Sequence, residues 1–227
     1  MALQGKGMLV TFTEVPARFE RDFNEWYNRE HIDERVNMKG FRRARRYVAS
    51  RASPKYFATY ETRRVEDLAD PDYMKLLANQ TPWSQRVMAH FNKKTYRRLT
   101  LRIRCDLVHG EGGGVALARF VPAPEKARAM TAWFKADALP KAIALPGMLG
   151  AFLAENDLET ANAPARFQGK AIPQKQDIEW LALFEAADAK TALAAAKAAC
   201  GARALKAFGV TKPAVFGSYS FQFGNQR

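Results

Sequence analysis

The sequence predicts an α+β protein built from two tandem βαββαβ repeats whose antiparallel sheets pack face to face. Three observations predict it. Tryptophan, aromatic and glycine positions recur at one offset, strand and helix signals come in the same order in both halves, and several strand stretches are apolar at consecutive positions.

The repeat is read first. Trp26, Tyr27 and Gly40 match Trp133, Phe134 and Gly147 at an offset of 107 (133 minus 26, 147 minus 40), without a gap. The same offset puts Gly7 on Gly114, ahead of the first strand of each half. Further on, Tyr56 to Glu61 (YFATYE) resembles Trp180 to Glu185 (WLALFE) at an offset of 124, so the second half carries about 17 extra residues before this point. These fall in the polar stretch 156–177, which contains Pro164 and Pro173 and reads as a loop. Tyr96 and Tyr219 then take similar places in the two last strands.

Residues 8–15 are apolar and β-branched, a strand. Pro16 suits a helix start, and Phe19, Phe23, Trp26 and Tyr27 give residues 17–31 a helical period. Gly40 marks a turn into strands over 41–50 and 55–62, a helix is expected over 65–80, and a long last strand over 91–104. The second half repeats the order: strand 115–121, helix 124–139, strands 148–154 and 178–185, an alanine-rich helix 189–208 and a strand 215–223. Pro140 is expected to break the helix that carries Trp133. The repeats therefore run over 1–104 and 114–227, joined by 105–113 with its glycines at 112–114. A single βαββαβ sheet leaves one face uncovered, yet MLV, FATY and WLALF read as strands buried on both faces. Two sheets facing each other solve this.

The net charge of +13 and pI near 9.9 admit nucleic acid, acidic ligands or a merely basic surface. Much of the excess lies in Arg42, Arg43, Arg45 and Arg46, and in Lys93, Lys94, Arg97 and Arg98. No run is long and apolar enough for a membrane span, and no secretory signal is read at the N-terminus. Two cysteines, Cys105 and Cys200, fit free thiols in a reducing cytoplasm. The three histidines show no metal-ligand spacing, and no phosphate loop or nucleophile elbow occurs, so neither metal nor cofactor is expected.

The stretches WYNREHI, GFRRARRY and YFATYE resemble the dimeric α/β-barrel (ferredoxin-like) superfamily, in its EthD-like and stress-responsive branches, here as a tandem fusion. The match covers the first 100 residues or so well and the second 100 faintly. The resemblance implies a pocket between a sheet and its covering helices, often with a His or an acid near its mouth. The superfamily includes cofactor-independent monooxygenases, lactone isomerases, polyketide cyclases and dehydratases, and haem-degrading enzymes, so it implies no single reaction.

His31 is the candidate catalytic residue. On an ideal helix it stands near Tyr27 and Met38 at the edge of the apolar stripe, where it could act as acid or base, or be a boundary histidine bonded to backbone. At the shared offset it corresponds to Ala138, so the site is expected in the first half only. Glu30 either orients His31, holds an arginine of the next strand, or is an exposed acid. Strand alternation puts Arg43 and Arg45 on one face with Phe41 and Tyr47, and Arg42 and Arg46 on the other. An inward pair could bind an anion, or the cluster is a basic edge. Tyr47, Tyr56, Tyr60, Trp83 and Tyr96 line an aromatic pocket or are simply core. His90 and His109 are assigned no role.

Three function classes follow. The first is a metal-independent enzyme (isomerase, cyclase, dehydratase or cofactor-independent monooxygenase) on a small aromatic or anionic molecule. In it His31 moves a proton, Tyr27, Tyr60 and Trp83 line the pocket, and Arg43 or Arg45 holds an anion. The second is a non-catalytic ligand-binding or stress-related barrel. The third is nucleic-acid binding, which is not expected because the strands lack the glycine-aromatic signature of single-strand readers. Haem ligation by His31 is a further variant, and a homodimer is the expected assembly.

Overall fold

The computed structural model describes residues 3–227, so the first two positions of the N-terminal stretch lie outside the described residues. Eight strands form: β1 (Gly7–Thr13), β2 (Phe41–Arg51), β3 (Tyr56–Thr62), β4 (Arg97–Val108), β5 (Gly114–Phe120), β6 (Met148–Asn156), β7 (Trp180–Ala186) and β8 (Val215–Gln226). They close one antiparallel barrel in the order β1-β3-β2-β8-β5-β7-β6-β4. Each half contributes its strands in the order fourth, first, third, second. The sheets face each other as expected, and they also join along both edges, β2 to β8 and β4 to β6. No strand edge is left open.

The central strands β1, β3, β5 and β7 are buried along their whole length, as the consecutive apolar residues predict. One face points into the barrel, where Val10, Phe12, Phe57, Leu117 and Leu183 pack. The other lies under helices, with separate cores in the first half (Phe23, Trp26, Ile32, Tyr60) and the second (Phe134, Leu139, Leu153, Phe184).

The repeat is physical as well as textual. Gly40 and Gly147 both have positive φ, 92° and 81°, which a side chain tolerates poorly. A Cβ on Gly7 would lie 2.4 Å from the Arg64 carbonyl carbon, and one on Gly114 2.1 Å from the Ala189 nitrogen. The helix carrying the tryptophan in each half contains one π turn, at Tyr27–His31 and at Phe134–Ala138, the same 107 positions apart.

Several local expectations are corrected. Residues 65–80 are not one helix: a 3-10 turn Val65–Ala69 leads to a helix at Pro71–Ala78, capped by Asp70, and a further helix follows at Pro82–Met88, capped by Thr81. Both begin at a proline, which needs no N–H partner in a first turn. Residues 91–96 are not strand, because Thr95 and Tyr96 bond back to the Asn92 carbonyl; β4 instead runs on to Val108 beside β6. The alanine-rich helix divides into Ala189–Ala199 and Ala202–Lys206 at Gly201. Pro140 does not break its helix, which continues to Ile143; the wide turn just before it shifts the bonding register where the proline lacks a donor. The stretch 156–177 contains two short helices, Leu158–Ala161 and Ala163–Phe167. A bulge between Phe41 and Arg43 puts Phe41 in the core under the helices, away from Tyr47 inside the barrel.

Sheet register also corrects the pairing of Tyr96 with Tyr219. Met8 stands opposite Leu101 and Val115 opposite Tyr219, so Tyr219 is the counterpart of Leu101.

Candidate functional site

The long first helix (17–36) lies on the outer face of the first-half sheet, against β2, β3 and β1, and beside it β1, β3 and the start of β4 leave a hollow. Closed at the side by the helices Pro71–Ala78 and Pro82–Met88, it is a cavity of about 210 Å³. Its wall includes Tyr27, His31 and Arg35 from the long helix, Thr11 and Tyr60 from the sheet, and Tyr96 and Arg98 at the start of β4. Pro164 completes it from the second half. The extra residues of one repeat thus cover the cavity of the other.

The π turn sets the geometry on the helix side. The Ile32 N–H reaches back five residues to the Tyr27 carbonyl, which widens the turn and sets the Tyr27 and His31 rings 5.0 Å apart, edge to face. The other face of His31 lies 4.2 Å from Trp26, and Tyr60 meets it edge-on at 6.0 Å. Trp26 is itself pinned, its Nε1–H donating to Ser84 Oγ at 3.0 Å. Beneath, Arg46 holds the helix to β2. Its guanidinium donates to Asn28 Oδ1 at 2.8 Å and Asn24 Oδ1 at 2.5 Å, and lies over the Tyr27 ring.

The electrostatics are one-sided. His31 Nδ1 is buried without a hydrogen-bond partner. Burial, together with the charges of Arg35 and Arg46, holds its pKa well below the usual 6.5, so the imidazole is neutral at neutral pH. The phenols stay protonated: burial and the neighbouring Tyr27 push Tyr60 well above its usual range, and burial pushes Tyr96 to about 12. The Tyr60 hydroxyl donates to Tyr27 at 3.4 Å, and the Tyr27 hydroxyl stands 3.5 Å from Thr11 Oγ1. No Asp or Glu lines the cavity.

Of the residues singled out in the sequence, the cavity brings together Tyr27, His31, Tyr60 and Tyr96. Arg43 and Arg45 lie elsewhere, inside one end of the barrel. Arg43 pairs with Glu61 at 2.6 Å and with Glu111, and Arg45 with Glu185 at 2.6 Å. Tyr47 sits beside them, its hydroxyl buried. Trp83 faces away from the cavity and donates to Asp22 at 2.9 Å, while Tyr56 meets Asn24. Glu30 accepts from Thr81 at 2.6 Å and from Ser84 at 3.2 Å, so it anchors the start of the helix Pro82–Met88 and touches neither His31 nor an arginine. His90 stacks on Phe19. Arg35 and Arg98 were not singled out as site residues. Two signals were present: Arg35 is four residues after His31, and Arg98 is two after Tyr96.

No family profile matches the chain, and no curated protein sequence matches it. Solved structures do. An anthrone oxidase-like protein is 11 % identical, with 100 % of this chain and 95 % of that one covered at a TM-score of 0.67. A candidate monooxygenase from Fusobacterium nucleatum is 9 % identical over 99 % and 96 % of the two chains, TM-score 0.58. A candidate chlorite dismutase is 12 % identical over 96 % and 94 %, TM-score 0.56. The chain has the dimeric α+β-barrel fold, with both halves in one polypeptide. At such identities the likeness is one of fold alone.

Haem, for which His31 would be the ligand, does not fit this cavity as it stands. The imidazole is packed between Trp26 and two tyrosines, and the space is that of a single ring; a cavity of about 150 Å³ is known to take up benzene. Among the described residues no helix is long and apolar enough to cross a membrane, and no group of three or more His, Cys, Asp or Glu could hold a metal.

Proposed function

We propose that the first-half cavity binds a small single-ring aromatic molecule and that His31 accepts a proton from it. One comparison carries the reading. Offset and sheet register give seven of the polar wall residues a counterpart in the second half. Thr11, Tyr27, His31, Arg35, Tyr60, Tyr96 and Arg98 stand where Ala118, Phe134, Ala138, Ala142, Phe184, Ala214 and Phe216 stand. In the second set Ala118, Phe134, Ala138, Ala142 and Phe184 are buried in an apolar core, and Ala214 and Phe216 pack partly buried against it. Ala138 and Ala142 also border a groove of about 350 Å³, but none of the seven side chains is polar. The fold is therefore built at these positions without a polar group, and burying polar groups there costs stability. Such a cost is expected where side chains serve a ligand.

Removal of one proton is the step shared by isomerisation, dehydration, cyclisation and cofactor-independent oxygenation of such a molecule. A neutral imidazole accepts that proton at a nitrogen, and the protonated phenol of Tyr96 donates a hydrogen bond to oxygen on the ring, joined by Tyr60 if its hydroxyl turns from Tyr27. Both barrel seams are satisfied within one chain, so the site is complete in a monomer. One observation favours a second reading, binding without turnover: no carboxylate or carbonyl holds Nδ1 of His31 to fix its tautomer.

The test is a thermal-shift screen of single-ring phenols and aromatic acids on the wild type, on Leu77→Trp, which fills the cavity, and on His31→Ala, with products followed by NMR. The expected result is stabilisation of the wild type that Leu77→Trp abolishes, and turnover that His31→Ala abolishes. Stabilisation unaffected by Leu77→Trp overturns the site. Turnover unaffected by His31→Ala overturns the proton transfer.

A further inference from the structure

The buried arginines of this chain differ in how their charge is met. Arg43 and Arg45 face Glu61, Glu111 and Glu185. Arg119 faces Glu179 at 3.0 Å. Arg46 has two asparagine side chains and lies over the rings of Phe23, Tyr27 and Tyr56. The two arginines of the cavity wall are less well served. Arg35 is 3 % exposed and has one carboxylate, that of its chain neighbour Glu34 at 3.2 Å. Arg98, half-buried as a residue, lines the cavity opposite Thr11, and its Nη2 is buried with no hydrogen-bond partner. Arg43, Arg45 and Arg119 each also have one unpaired nitrogen, but each has a carboxylate, whereas among the described residues Arg98 has none in ion-pair reach. A buried guanidinium nitrogen without an acceptor is costly, and the wall around it holds no acid.

We infer that the ligand is an aromatic carboxylate, its anion received by the guanidinium of Arg98 with Arg35 as the second positive group. The proposal rests on the reading that the cavity binds a single-ring molecule. The wall divides accordingly. Leu9, Trp26, Leu77, Met88 and Phe91 offer an apolar bed for a ring, while Arg98, Arg35 and the phenols offer only donors to an anion. A planar carboxylate suits the fork of a guanidinium, and a desolvated charge-assisted pair discriminates strongly against a neutral isostere. The same anion offsets the charges of Arg35 and Arg46 at His31. Binding thus makes the imidazole a better base at the moment the ligand is present.

The experiment is calorimetric titration of benzoate, its neutral isostere benzamide, and inorganic phosphate into the wild type and into Arg98→Met. Benzoate should bind the wild type at least about tenfold more tightly than benzamide, and Arg98→Met should remove that preference while leaving benzamide affinity unchanged. Histidine proton shifts provide a second readout, since the chain has only 3 histidines: benzoate should move the His31 titration to higher pH and benzamide should not. Equal binding of benzoate and benzamide to the wild type overturns the anion site and leaves the aromatic cavity standing. Phosphate binding more tightly than benzoate overturns the carboxylate assignment. Failure of both aromatic compounds to bind overturns this proposal and the cavity reading together. The wild-type comparison stands without the variant, so misfolding of Arg98→Met does not remove the test.

Discussion

The guanidinium of Arg46 lies 4.5 Å from the centroid of the Tyr27 ring, joining the middle of β2 to the π turn above it. Arg46 is 1 % exposed and reaches three oxygens of the helix, the Asn24 carbonyl and the side-chain oxygens of Asn24 and Asn28. Arg46→Met removes these three bonds and the contact with the Tyr27 ring, leaves Asn28 Oδ1 without its donor, and should cost about 1–3 kcal/mol in urea unfolding. It also removes one of the charges that depress His31, so the His31 titration followed by NMR should move up. An unchanged titration would show that Arg46 does not act on the imidazole.

Stability should depend on pH through His31. Its folded pKa lies below the 6.5 of the unfolded chain, so below that pH the unfolded state binds a proton that the folded imidazole refuses. Stability therefore falls as pH drops from 6.5 toward the folded pKa, by at most about 1.4 kcal/mol per pH unit. Denaturant unfolding between about pH 7 and 5.5 should show this slope in the wild type and a flatter one in His31→Asn.

The charged end of the barrel should matter for stability and not for the ligand. Glu185 receives Arg45 Nη1 at 2.6 Å in the interior and the Gly112 N–H at 2.9 Å at its margin. Glu185→Gln leaves Arg45 without its nearest counter-ion and should cost roughly 3–5 kcal/mol. Benzoate affinity should be unchanged within error. A large loss of affinity in a folded Glu185→Gln protein would assign the barrel interior to the ligand instead.

The second half should not accept the first half's chemistry. Ala138 is 3 % exposed in the apolar core, at the floor of a groove of about 350 Å³, so Ala138→His sets a larger, polar ring against apolar neighbours. The expected loss is roughly 2–4 kcal/mol by thermal or urea unfolding. A neutral effect would mean that this half retains unused room for a site.

The fold was largely legible in the sequence, because the features that define it are local or periodic. Gly40 and Gly147 announce a turn only glycine enters easily, and the consecutive apolar residues of β3 and β7 announce strands covered on both sides. The site was half legible. His31 stood out because the repeat puts Ala138 in its place, and Tyr27 and Tyr60 stood out as aromatics of the helix stripe and of a strand. Arg98 did not, because it lay within a basic cluster, and only the pairing of Thr11 with Arg98 separates it from its neighbours. Arg43 and Arg45 drew attention for their charge, but the glutamates that neutralise them are 18 and 140 residues away in sequence. The bulge before Arg43 and the π turn before Ile32 each shift a face by one residue, which no ideal period reports.

The helix Ala163–Phe167 belongs to the half without polar wall residues, yet Pro164 within it covers the half that has them. An assembly of two identical chains must carry as many sites as covers, and any change to one appears in both. A single chain holding both copies is free of that symmetry. Here one copy carries the polar wall and the other contributes Pro164 to its rim, so on the proposed reading each molecule holds one independent site.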